Sequence, residues 1–117
     1  MPHDSGKYLA DIQERADFVL RFMADKSCDD LTNNRVTRSA MERELMVLGE
    51  AFFQLHGRFP EIAEQFDGWK EIIRFRHVLV HGYDSLNLRI VWEVIQNDLQ
   101  PLLDRVNYLL AQRNTES

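Results

Sequence analysis

Apolar residues in the middle of the chain recur at helical spacing, and this periodicity narrows the possible folds more than any other feature. Met41, Leu45, Leu48, Phe52 and Leu55 follow one another at alternating steps of four and three. Such steps place all five on one side of an α-helix. Ala40, Val47 and Ala51 widen that face, as suits a bundle helix with several neighbours. The same spacing predicts a helix from about Lys7 to Ser27, with Leu9, Ile12, Ala16, Val19 and Met23 as its stripe and Ser5 as its N-cap. A last helix is expected from Ser85 or Asn87 to about Gln112, with Leu88, Val91, Trp92, Ile95, Leu99, Leu102, Val106 and Leu109 facing inward. Pro101 lies inside it and lacks a backbone donor, so a kink or a split is expected there.

The intervening segments complete the pattern. Ser27–Asn34 is rich in Asp, Asn and Ser and reads as a connector. The second helix runs from about Arg35 to Leu55, with Gly57 as its left-handed cap. Pro60 opens a short segment to Phe66, and Asp67-Gly68 breaks it. A third main helix follows from Trp69 to His81, with Gly82 as cap. No strand alternation or internal repeat is present. The expectation is an all-α, up-and-down antiparallel bundle of four to five helices, forming one domain over residues 1–117.

Composition bounds the function. The net charge is −5 and the pI about 5.3, which argues against one large basic face for nucleic acid. Any RNA must be held by a local patch, and charge alone favours a protein partner or a small ligand. Cys28 is the single cysteine, so no internal disulfide can form, in keeping with a reducing compartment. The first residues carry no apolar run and no stretch approaches a membrane span, so a cytoplasmic location is expected.

One segment is chemically unusual. Lys70, Arg74, Arg76, His77, His81 and Tyr83 cluster against a single acid, Glu71, in a chain that is acidic as a whole. A histidine can take a proton from a ribose 2′-hydroxyl, because its pKa lies near neutrality. An arginine offers forked donors to phosphate oxygens as charge builds in the transition state. A tyrosine can stack on a base. These are the residue types of metal-independent RNA cleavage, and no carboxylate cluster for a two-metal mechanism accompanies them. A bland reading stands beside this one: histidine is favoured at a helix C-terminus by the dipole alone, and surface arginines often form weak pairs. His77 and His81, at i and i+4, also make half a metal site, but the other ligands are missing from the pattern. On an ideal helix Arg76 and His81 are about 140° apart. They converge only if the helix ends near His81 or if a second copy of the motif faces the first.

Arg76, His81 and Tyr83 spell Arg-x4-His-x-Tyr, which resembles the signature of HEPN ribonuclease toxins of the HepT-like branch. The likeness continues in Leu48-Gly49-Glu50-Ala51, in Asp67-Gly68-Trp69 leading to Arg76, and in Val91-Trp92-Glu93 with Asn97 to Leu102. It covers the chain from Leu9 to about Leu110. One departure is His77, where such sequences usually carry Asn. The resemblance implies a HEPN-like fold and a toxin that cleaves RNA as a homodimer without a cofactor. It also implies a nucleotidyltransferase antitoxin, possible higher hetero-oligomers with it, and AMP attached to the motif tyrosine. Carried onto this chain, Arg76 binds the scissile phosphate, His81 is the general base or acid, and Tyr83 positions RNA and accepts AMP. His77, Arg74 and Lys70 support the site, and Glu50 is a candidate partner for Arg76. The competing expectation is a non-catalytic helical binding module that partners a nucleotidyltransferase and presents substrate or nucleotide to it, with Tyr83 only a modification acceptor.

Overall fold

The computed structural model describes the backbone of residues 4–81 and 87–116 and the side chains of 4–80 and 87–113. Among these residues the secondary structure is helical throughout, with no strand. The elements are α1 (Ser5–Met23), α2 (Cys28–Asn33), α3 (Arg35–Arg58), α4 (Pro60–Ala63), α5 (Trp69–His81), α6 (Leu88–Glu93), a π-helical turn (Val94–Asp98) and α7 (Leu99–Glu116). The all-α bundle expected from the periodicity is the fold observed.

Helix α1 lies against both α3 and α7, and α3 carries α5 and α4 on other flanks. Gln13 bonds Asn107 at 2.6 Å while Arg113 reaches back to Ser5 at 2.8 Å, so α1 and α7 run antiparallel. Gly49 meets Arg76 while His56 stacks on Trp69, so α3 and α5 are antiparallel too. The predicted stripes form the core: Leu9, Ile12, Ala16, Val19, Met23, Met41, Leu45, Phe52, Leu55, Val91, Ile95 and Val106 are all at most 2% exposed. Phe66 closes one end, edge-on to Phe52 at 5.3 Å between ring centres.

Several boundaries differ from expectation for identifiable reasons. Asp4, not Ser5, caps α1, its Oδ1 accepting from the Lys7 N–H. Ser5 is drawn into the α1–α7 contact, where its Oγ accepts from Arg113. The expected connector contains α2. Ser27 and Asp30 form a reciprocal capping box, at 3.2 and 2.8 Å, and Leu31 is fully buried. Helix α3 runs on through Gly57 to Arg58; Phe59 follows at φ −137°, and Pro60 starts α4. Among the described residues the left-handed glycine is Gly68, at φ 74°, which ends the α4 region and admits α5. Ahead of Pro101 the hydrogen-bond ladder widens to i−5, with the Leu99 N–H donating to the Val94 carbonyl. The expected interruption of the last helix is thus a π turn. The proposed Gly82 cap lies outside the described residues.

Candidate active site around Arg76

The expected extent of α5, Trp69 to His81, is the extent observed. Its apolar positions, Trp69, Ile72, Ile73 and Phe75, lean on the core, and Leu79 is buried. This packing sets the rotation of the helix and directs Arg76 toward α3.

Close approach of the two helices depends on Gly49. A Cβ there would lie 2.7 Å from the Arg76 Cβ and 2.9 Å from its Cγ. Without a side chain at Gly49, the Arg76 stem lies directly on the α3 backbone. The guanidinium then meets Glu50. Its Nε and Nη2 both donate to Glu50 Oε2, at 3.1 and 2.7 Å. The other carboxylate oxygen, Oε1, accepts from Gln54 Nε2 at 3.2 Å. The Arg76 hydrogen bonds, and secondarily the Gln54 bond, hold the Glu50 carboxyl below its ordinary pKa, against an opposing push from burial. Beneath the guanidinium, 4.4 Å from its carbon, lies the ring of Phe53. Arg76 is thus fixed by a carboxylate, an aromatic face and a bare stretch of helix. Its Nε–Nη2 side faces Glu50, and the Nη1 edge is directed away from that carboxylate. The side chain keeps 21% exposure and borders a shallow groove of about 520 Å³ with Tyr8, Arg43, Gln54 and Val80.

The other candidates are placed differently. Lys70, Arg74 and His77 recur along α5 at i, i+4 and i+7 and are exposed, forming a basic stripe beside the Arg76 face. Arg74 is 3.8 Å from Glu71, both largely in solvent, so the pair adds little stability. Lys70 Nζ sits 5.5 Å from the centre of the Trp69 ring. Helix α5 is described through His81, so helical geometry holds from Arg76 to His81 and sets the two positions about 140° apart around the axis. The His81 side chain and Tyr83 lie outside the described residues. Among the described residues, no three His, Cys, Asp or Glu side chains gather as a metal-ligand set. Phe53 and Gln54, which complete the Arg76 setting, escaped the sequence reading. Their spacing from Glu50, at i+3 and i+4, is the signal that could have found them.

On the other flank of α5 lies an open apolar groove of about 1120 Å³, between α5 and α6–α7. Leu48, Phe75, Val78, Ile90, Leu102 and Tyr108 are among its walls.

The family model for HepT-like ribonucleases matches residues 12–109, from α1 to near the end of α7. The chain belongs to the HepT-like ribonuclease family. Similar proteins include one named "Putative RNase" from Methanocaldococcus jannaschii, 29% identical over 88% of this chain and 94% of its own. Another of that name, from Caldanaerobacter subterraneus, is 32% identical over 90% of this chain and 93% of its own. A Thermococcus cleftensis protein named "Probable ribonuclease HepT" is 27% identical over 81% of this chain and 86% of its own. No solved structure matches at comparable stringency. As a HepT-like protein the chain carries its candidate residues, Arg76 to Tyr83, inside the matched region. Among the described residues, no helix is long and apolar enough to cross a membrane.

Proposed function

We propose that this HepT-like protein is a toxin that cuts RNA without a metal ion and that a nucleotidyltransferase antitoxin silences it by attaching AMP to Tyr83. The observation that carries the reading is the fixed guanidinium of Arg76, held by Glu50 with its remaining donors turned away. Preorganised donors stabilise developing charge without reorganising at the moment of reaction. In this scheme a non-bridging oxygen pair of the scissile phosphate meets Arg76. His81 takes the proton of the adjacent 2′-hydroxyl, whose oxygen attacks phosphorus, and the bond to the 5′-oxygen breaks as that oxygen gains a proton. Lys70, Arg74 and His77 line the approach. AMP on Tyr83 would set an anionic phosphodiester near Arg76 and exclude RNA by charge and bulk.

The acting unit in this reading is a homodimer. The Arg76 and His81 positions are about 140° apart around α5, and in this reading a second copy facing the first brings the two groups together. The groove beside α5 supports self-association, since it leaves Val78, Ile90 and Tyr108 at 39%, 49% and 52% exposure in a single copy.

The deciding experiment incubates protein, shown unmodified by intact mass, with total cellular RNA in EDTA. Cutting by the wild type and not by Arg76→Ala or His81→Ala supports the reading. Equal cutting by all three removes these residues from the mechanism. No cutting by any favours the non-catalytic partner of the transferase.

A further inference from the structure

The seam between α3 and α5 sets aromatic rings between two cations, Arg76 and Lys70. At one end the Arg76 guanidinium lies over Phe53. Towards the start of α5, His56 stacks on Trp69, with ring centres 4.7 Å apart and planes 20° apart. Lys70 follows beside Trp69, and His56 is itself bonded to Glu64 at 3.1 Å. A rise of about 1.5 Å per residue makes the run from Arg76 to Trp69 roughly 10 Å long, the reach of a few nucleotides. Phe53 differs from the other rings of this seam. It is 41% exposed, whereas its neighbour Phe52 is fully buried. One turn further along α3 is Gly57, where an added Cβ would find nothing within 4 Å. The exposed part of the Phe53 ring is open to a ligand.

We propose that Phe53 stacks on the base next to the scissile phosphate, making the α3–α5 seam a track for single-stranded RNA; this rests on the ribonuclease reading of Arg76. An exposed aromatic ring in contact with a phosphate-binding arginine brings together the two chemistries of an unpaired nucleotide, an apolar base face and an anionic linkage. Bases within a duplex already stack on their neighbours and have no free face for Phe53. The low positive charge of the chain points the same way. With a net charge of −5, long-range attraction to the RNA backbone is weak, and stacking supplies affinity that does not depend on charge. Phe53 is a binding residue in this account and takes no part in proton transfer.

The test uses a short single-stranded RNA carrying a cleavage position first mapped in cellular RNA. A second version is abasic at the nucleotide beside the cut, and a third is annealed to its complement. Wild type, Phe53→Leu and Phe53→Tyr are compared, each checked for an unchanged helical spectrum. Phe53→Leu should raise KM roughly tenfold, a larger change than any it makes in kcat through Arg76, and Phe53→Tyr should restore KM. The abasic RNA should raise the wild-type KM by a similar factor but add little to the Phe53→Leu defect. The duplex should resist cutting. If Phe53→Leu lowers kcat while the abasic penalty stays intact, the ring only supports Arg76 and the stacking proposal is overturned. Efficient cutting of the duplex overturns the single-strand track. Wild-type protein that neither cuts nor binds any of the three RNAs overturns the ribonuclease reading itself, and this proposal with it.

Discussion

Arg76 Nη2 lies 2.7 Å from Glu50 Oε2, joining the motif helix to the longest helix of the bundle through a side chain outside the motif. The pair is partly exposed, 21% for Arg76 and 47% for Glu50, so its contribution to stability is modest. Its larger effect is on orientation. Removing the carboxylate leaves the guanidinium free to sample other rotamers and lose its preset direction. Glu50→Ala should therefore cost about 1 kcal/mol or less in urea unfolding yet reduce kcat for RNA cutting by roughly ten-fold or more. A stability loss without an activity loss would confine Glu50 to the scaffold.

The same pair sets an acid dependence. The folded-state pKa of Glu50 is lowered from 4.5, chiefly by the Arg76 hydrogen bonds. A carboxyl with a depressed folded pKa binds protons more weakly when folded than when unfolded. Its stabilisation is therefore complete above the unfolded value and is lost as pH falls through the lower, folded value. Glu50→Gln should flatten the stability curve below about pH 4.5 and leave its slope near neutrality unchanged. Identical acid limbs for both proteins, measured by urea midpoints across pH, would show that the Glu50 pKa does not change on folding.

Two glycines of α3 provide an internal contrast. Gly49→Ala places a methyl 2.7 Å from the Arg76 Cβ, and that neighbour is the root of a side chain on a packed helix, so α5 has to move. Overpacking of this kind costs about 1–3 kcal/mol. The helix-propensity gain of alanine returns about 1 kcal/mol. Gly49→Ala should lower the melting temperature and RNA cutting together. Gly57 is helical with open space around it, so Gly57→Ala should raise the melting temperature through the same propensity gain. Equal shifts in both variants would mean that Gly49 is not a close-approach position.

How much of this was legible depends on range in the sequence. Helix α5 was legible from Trp69 onward because Asp67-Gly68 breaks the chain ahead of it and apolar repeats continue to Val80. Helix α2 was hidden because Ser27, Asp29, Asp30 and Asn33 disfavour helix interiors, while Ser27 and Asp30 together make a strong cap. Gly57 looked like a cap, but Phe59-Pro60 sets the end of α3. The choice of Asp4 over Ser5 turns on Arg113, at the other end of the chain. The local cluster of basic residues marked Arg76 and was silent about Glu50, which entered only through family resemblance. The α3 stripe put Phe52 inside and left Phe53 off it, and only the packing of α5 showed that Phe53 lies against Arg76.

The groove beside α5 makes the homodimer testable without activity. Val78 is 39% exposed on its wall, so Val78→Asp should be tolerated within one copy, whereas a desolvated carboxylate at an interface should not. The variant should keep its helical spectrum and sediment as a monomer at concentrations where the wild type is dimeric. A dimeric Val78→Asp protein would place the interface on another face.

A final prediction concerns which copy supplies which group. Since α5 is helical through His81, the Arg76 and His81 positions are about 140° apart on one helix. If each site combines Arg76 of one copy with His81 of the other, mixed dimers of Arg76→Ala and His81→Ala contain one site with both groups intact and one site with neither. Random exchange makes about half of all dimers mixed, each with one working site of two, so mixing the two inactive proteins should restore about a quarter of wild-type cutting. If each site draws both groups from a single chain, every site in every mixture lacks one of them and cutting stays at the level of the separate variants. Subunit exchange is confirmed on the same samples by native mass spectrometry, so an absence of recovery in demonstrably mixed dimers would assign both residues to one chain.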